Sequence, residues 1–114
     1  MRITLNPHQV NMLVNMLHDR QDIAGRLYEL FESVQSLQVA HIPIVLKNEQ
    51  AVIVKDLLQK EIEGASSMAW YLYRRHGFDA WSIPAFEILD DFYSIWRLLR
   101  IAEETLQTPK KEGN

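Results

Sequence analysis

The sequence predicts an all-α fold, an antiparallel up-down-up bundle of three long helices. Apolar residues recur at three- and four-residue steps over about 7–38, 48–76 and 83–107, which is the periodicity of a helix face. The 114 residues include only four glycines and four prolines, so few positions interrupt a helix. Short connections between helices of similar length make neighbours antiparallel, which gives a bundle about 45 Å long.

Composition narrows the class of protein. A chain of 114 residues that is 47% hydrophobic predicts one helical domain, 1–107, followed by a polar, disordered tail over 108–114. The absence of cysteine excludes disulfide scaffolds and thiol catalysis, and a net charge of −3 argues against a dedicated nucleic-acid binder. No long apolar run occurs, so we expect no membrane span, no signal peptide and a cytoplasmic location, in the style of a bacterial or phage protein.

The first predicted helix begins with Asn6 as its cap and Pro7 in its first turn. Its apolar phase continues to Gln38, which predicts one helix of about 32 residues. If this helix breaks, the break should fall in the polar cluster at 18–22. Gln21 lies on the apolar face of the helix there but has a polar side chain. We predict a continuous helix.

Two short apolar segments precede helix starts, at 3–5 and at 44–46. They resemble hydrophobic staples, in which a residue before the helix packs against its first turn. The alternative is a pair of short extended strands. In a straight hairpin of helices the two segments lie at opposite ends, so they could pair within one chain only if the first helix breaks near 18–22. Otherwise they could pair between the chains of an antiparallel dimer.

The second and third helices have clear boundaries. Asn48 is the predicted cap of the second helix, whose apolar phase is unchanged across Gly64 and which ends at Gly77 after a basic last turn. The third helix starts near Ser82 and Pro84. Its apolar face continues to the start of the polar tail.

The first helix carries a second apolar stripe, more than one bundle contact needs. Four of its members recur at seven-residue spacing, and two others lie beside them. A stripe of this kind predicts an interface with a second copy or another protein. Its members are Met16, Ile23, Leu27, Leu30, Val34 and Leu37.

Aromatic residues are concentrated late in the chain: nine of eleven lie between residues 70 and 96. Those not assigned to the core by helical phase lie near arginines, a combination enriched at binding hot spots. The residues are Trp70, Tyr71, Arg74, Arg75 and Trp81. Stacking and phosphate contacts would also suit single-stranded nucleic acid, but Asp79, Asp90 and Asp91 interrupt any continuous basic track, which favours a protein partner.

Two acidic pairs, Glu29-x-x-Glu32 and Glu87-x-x-Asp90, have the residue type and spacing of a candidate magnesium site. These four residues resemble the paired carboxylates of the MazG-like all-α nucleotide pyrophosphohydrolases, a resemblance that implies magnesium-dependent nucleotide hydrolysis. In that family the pairs face each other inside the bundle. Here Glu87 and Asp90 lie roughly 140° to 200° from the apolar face of their helix, which departs from the family pattern.

Taken together, the residues predict a small, non-enzymatic protein–protein interaction or regulatory module that self-associates through its first helix. We expect a homodimer or a protein partner, and no cofactor, metal or catalytic residue. A MazG-like hydrolase and a single-stranded nucleic-acid binder are the alternatives.

Overall fold

A computed structural model describes residues 1–37 and 39–107 of the chain. The elements in order are β1 (Arg2–Leu5), α1 (Pro7–His18), α2 (Gln21–Gln35), β2 (Ile42–Val45), α3 (Asn48–His76) and α4 (Ser82–Gln107). The chain is mostly helical, which confirms the predicted all-α class. Within the described residues, however, four helices and a two-stranded sheet replace the predicted three-helix bundle. The tail predicted over 108–114 lies outside the described residues.

The predicted continuous helix over 7–38 is wrong, because the chain turns at 19–20, between α1 and α2. Helix ends leave carbonyl groups without partners, and a polar side chain supplies one here. The Arg20 guanidinium donates to the Met16 carbonyl oxygen at 2.6 Å and to Glu61 of α3 at 3.2 Å. The polar cluster thus provides the donor that ends α1, and it ties the turn to a third helix.

The two apolar segments form a small antiparallel sheet. Ile3 of β1 lies opposite Ile44 of β2, and Leu5 lies opposite Ile42. All four side chains are buried, so one face of the sheet covers the core. Pairing within one chain required a broken first helix, and the turn at 19–20 meets that condition because α2 returns antiparallel to α1 and brings the two strands together.

Two helices begin with a glutamine side chain that accepts from the backbone N–H of the cap residue, and at α1 the cap side chain returns the bond. At α1, Asn6 Oδ1 accepts from the Gln9 N–H at 2.8 Å, and Gln9 Oε1 accepts from the Asn6 N–H at 2.9 Å, as expected for a capping box. At α3, Gln50 Oε1 accepts from the Lys47 N–H at 2.9 Å. Lys47 is therefore the cap of α3, and Asn48, the predicted cap, is its first helical residue.

The long hairpin of α3 and α4 follows the sequence prediction closely. α3 is continuous through Gly64 and ends where Gly77 takes a φ of 70°, a left-handed conformation that favours glycine. α4 begins at Ser82, one residue before the predicted start. The two long helices pack against each other as antiparallel neighbours.

The hydrophobic core occupies only one end of this hairpin. Its buried apolar side chains come from both strands, α1, α2, the first half of α3 and the second half of α4. Over 63–94 only Ala69 and Ser82 are buried. The turn of the α3–α4 hairpin therefore extends beyond the core, within a molecule that measures 53 × 33 × 28 Å.

The strand pairing predicts a disulfide in the variant Arg2→Cys/Val45→Cys. The two positions are directly opposite and exposed, and the chain has no cysteine of its own. Opposite residues of an antiparallel pair lie within disulfide range. Oxidation should give an intrachain disulfide, seen as faster migration on non-reducing gels. Arg2→Cys/Val52→Cys is the unpaired control, and covalent dimers formed by the first variant alone would contradict pairing within one chain.

The turn at 19–20 predicts a cost for Arg20→Ala. The change removes hydrogen bonds to the Met16 carbonyl and to Glu61, whose side chain is 31% exposed. We expect the free energy of unfolding to fall by about 1–2 kcal/mol, measured by chemical denaturation. Arg26→Ala on α2 is the matched control, since Arg26 is exposed and makes no hydrogen bond within the described residues. Equal effects of the two changes would refute this role of Arg20.

Candidate functional site

The apolar stripe predicted on the first helix does not form one open surface. Met16 and Leu27 are 4% and 2% exposed and belong to the core of the chain itself. Leu30 and Val34 are partly buried against that core, and Leu37 is exposed. The six residues share one stripe only on a continuous helix, and the turn at 19–20 divides them between α1 and the chain that follows it. The Ile23 side chain lies outside what the structure describes.

The five predicted residues of the aromatic region are exposed at the turn end of the α3–α4 hairpin. Trp70 is 46% exposed, Tyr71 49% and Trp81 70%, and Arg74 and Arg75 are also exposed. Trp70 and Tyr71 are consecutive on α3, so they point about 100° apart. The Arg75 guanidinium lies over the Tyr71 ring, 5.3 Å from its centroid. These five residues therefore face different sides of the hairpin.

Four aromatic rings at this end of the hairpin contact one another. The Trp70 centroid lies 5.0 Å from that of Phe86 and 5.5 Å from that of Tyr73, and Phe78 lies 4.5 Å from Tyr73 and 5.7 Å from Phe86. Two of these pairs are edge-to-face, a favoured arrangement for aromatic rings. We call the four rings together with the neighbouring Trp81 the aromatic tip.

An apolar groove of about 470 Å³ continues from the aromatic tip along the outer face of α4. Its lining combines exposed apolar side chains with two carboxylates, and comprises Phe78, Ile83, Phe86, Glu87, Leu89, Asp90 and Tyr93. Sequence reasoning did not assign Phe78, Ile83 or Tyr93 to a binding surface. Phe78 and Tyr93 belong to the concentration of aromatic residues between 70 and 96, and that pattern could have assigned both of them to the surface.

A compact turn between α3 and α4 supports the tip. Ser82 Oγ donates to the Gly77 carbonyl oxygen at 2.5 Å and accepts from the Asp79 N–H at 2.9 Å. The Asp79 carboxylate accepts from the Trp81 and Ser82 N–H groups at 2.9 and 3.0 Å. These N–H groups, that of Ser82 foremost, together with the nearby His76, hold the pKa of the Asp79 carboxyl below its ordinary 3.8.

Charges of both signs surround the tip and groove. Within the described residues, Arg74, Glu87, Asp90 and Arg97 form no ion pair. All four are exposed, with Arg74 on α3 and the other three on α4. The surface is therefore apolar at its centre, with charges of both signs around it that make no ion pair within the described residues.

The carboxylates that resemble the MazG pairs lie on two different helices. Glu29 and Glu32 are exposed on α2, where Tyr28 Oη donates to Glu32 at 2.9 Å and this hydrogen bond raises the Tyr28 pKa. Glu87 and Asp90 line the groove on α4. Across 1–37 and 39–107, no group of three or more histidine, aspartate and glutamate side chains is placed to hold a metal ion.

Comparisons with known proteins add no assignment. No protein-family model, no curated protein and no solved structure matches the chain. Among the described helices, none is long and apolar enough to cross a membrane.

The turn predicts an acid-sensitive element at the tip. Because the pKa of Asp79 is lowered by folding, its ionised carboxylate stabilises the folded state above pH 3.8. That contribution is lost as the pH falls below 3.8 and through the lowered pKa. Asp79→Ala should reduce the melting temperature at pH 7 and weaken its decline in acid, followed by circular dichroism. Asp56→Ala, an exposed change on α3, should retain the wild-type profile, and identical profiles for all three proteins would contradict the prediction.

Proposed function

We propose that this chain is a small, non-enzymatic protein–protein interaction module whose binding surface is the aromatic tip. The observation that carries the proposal is a cluster of four contacting rings built beyond the end of the core, in which Phe78 is 66% exposed, with Trp81, 70% exposed, in the turn that follows. Contacts among the four rings hold them in place before any partner binds, so little of their conformational freedom is lost on binding.

Apolar exposure on this scale favours a partner that covers it. Removing a large apolar side chain from water contributes about 1.5–3 kcal/mol when burial is complete. Phe78 and Trp81 each retain roughly two-thirds of that gain for a binding event, since only about a third of each is covered in the folded chain. Tryptophan, tyrosine and arginine, all present here, are the residues most enriched at binding hot spots.

The charges favour a protein over a nucleic acid. Glu87 and Asp90 line the same groove as the exposed aromatic side chains. Their carboxylates would repel a phosphate backbone, whose neutralisation by lysine and arginine dominates nucleic-acid affinity. A protein surface can instead present the basic groups that these carboxylates need, together with acidic groups for Arg74 and Arg97.

The proposal relocates the self-association that the sequence predicts. Met16 and Leu27, two of the six residues of the stripe on the first helix, are buried in the core of the chain itself, which favours a different surface for self-association. The aromatic tip and the groove beside it provide an exposed apolar surface in its place. This surface supports the proposed interaction or regulatory role, which needs no catalytic group.

Photocrosslinking tests the proposal directly. A photoreactive phenylalanine derivative at position 81, in cells that express the full chain, should form discrete protein adducts because Trp81 lies at the proposed binding surface. The matched control is the same group at position 45, since Val45 is also 70% exposed but lies on β2. Phe78→Ser should suppress the adducts formed at position 81.

Three outcomes would count against the proposal. Adducts of equal yield at positions 81 and 45 would show no preference for the tip. Adducts that resist Phe78→Ser would show that the aromatic cluster is not the binding determinant. Adducts that disappear on nuclease treatment would identify a nucleic acid as the partner instead.

A further inference from the structure

We infer that the partner is a second copy of this chain, bound along the outer face of α4 in an antiparallel, two-fold arrangement. The inference rests on the proposed function, since it names the occupant of the aromatic tip and its groove. Three observations carry it: the order of Asp90 and Arg97 along α4, the position of exposed apolar side chains at both ends of the helix, and the area they offer.

Within the described chain, the outer face of α4 carries acidic side chains without ion pairs in its first half and Arg97 without one in its second half, where Arg100 pairs with Glu104 at 3.2 Å. Glu87 and Asp90 line the groove near the tip, and Arg97 lies two helical turns after Asp90 on the same face. Seven residues of helix separate Asp90 from Arg97 by about 10.5 Å along the axis, so they cannot pair within one chain. Both charges are exposed and without an ion pair in the described chain.

A two-fold axis satisfies both charges at once. In a two-fold interface, if one residue of the first copy contacts a second residue of the partner, then the second residue of the first copy contacts the first residue of the partner. An axis beside Tyr93 and Ser94, midway between Asp90 and Arg97, places Asp90 opposite the partner's Arg97. The same operation places Arg97 opposite the partner's Asp90, so the ion pair forms twice in each dimer.

The same axis aligns the apolar groups. Phe86 falls opposite the partner's Ile101, because the two positions are equally distant from the axis. Ile101 is 60% exposed near the end of α4, and the groove beside Phe86 is open. Ile101 of each copy therefore enters the groove of the other.

The exposed aromatic side chains supply part of the area that a stable dimer needs. An aromatic side chain has about 150–250 Å² of surface to bury. At exposures of 66%, 70% and 41%, Phe78, Trp81 and Tyr93 offer about 350 Å². That is close to half of the roughly 800 Å² that each partner buries in a standard interface. Ile83, Ile101 and the charged side chains of the outer face add to this area.

Charge reversal tests the arrangement, with mass measured by sedimentation equilibrium. The wild type should form a dimer of twice the 13.4 kDa chain mass. Asp90→Arg and Arg97→Asp should each raise the dimer dissociation constant by about 10- to 100-fold, since each change creates two like-charge contacts. Lys60→Glu, an exposed reversal on α3, should leave the constant unchanged. Circular dichroism of each variant checks that the fold is retained.

Mixing the two charge-reversal variants tests whether Asp90 and Arg97 contact each other across the dimer. An Asp90→Arg chain and an Arg97→Asp chain, combined in equal amounts, should form a heterodimer of wild-type affinity, because every reversed charge then meets its opposite. The double variant Asp90→Arg/Arg97→Asp should likewise recover the homodimer. Recovery in both arms identifies the contact, which a merely destabilised fold could not produce.

The inference is overturned by a wild-type chain that remains monomeric at every concentration measured. It is also overturned by single reversals that dimerise like the wild type, or by reversals that weaken the dimer without recovery on mixing. A monomeric chain that still forms specific adducts through position 81 would reject the second copy and leave the proposed function standing. A dimer that shows the charge register but yields no such adducts would reject the aromatic tip as the binding surface.

Discussion

The turn at 19–20 is the constraint on which the rest of the fold depends. Arg20 satisfies the Met16 carbonyl at the end of α1 and reaches Glu61 on α3, so a single guanidinium both ends a helix and orients the hairpin that follows. Because α2 then returns along α1, β1 and β2 meet and pair. The sheet and the first two helices consequently gather the core at one end of the molecule.

Placing the core at one end has a direct consequence for the surface. α1 and α2 have 12 and 15 residues, whereas α3 and α4 have 29 and 26, so the long hairpin extends past the elements that could cover it. The turn end must therefore supply its own packing, which it does with contacting aromatic rings and a turn built on Asp79 and Ser82. Trp70 and Phe78 of this cluster stay 46% and 66% exposed, and that exposure is the basis of the binding surface that we propose.

Much of the long hairpin could be predicted from sequence, because its signals are local. The apolar periodicity is unbroken across Gly64 and correctly predicts that α3 continues there. Gly77, which adopts a left-handed conformation, ends α3 at the predicted position. The prediction of one continuous helix over 7–38 was wrong for a related reason. Its apolar phase also continues, but phase does not reveal whether a polar cluster will be used as a turn. The group that holds the turn at Arg20 is Glu61, 41 residues away, and no local pattern contains it.

The candidate site likewise has some features that the sequence predicts and others that only the tertiary structure shows. The sequence by itself determined that aromatic residues concentrate after residue 70 and that charges of both signs lie among them, since composition and spacing contain that information. Only the tertiary structure decided that Met16 and Leu27 belong to the core and that Trp70 meets Phe86. Helical periodicity shows which residues share a face, but burial depends on which elements meet that face. That meeting is set by contacts between residues distant in the chain.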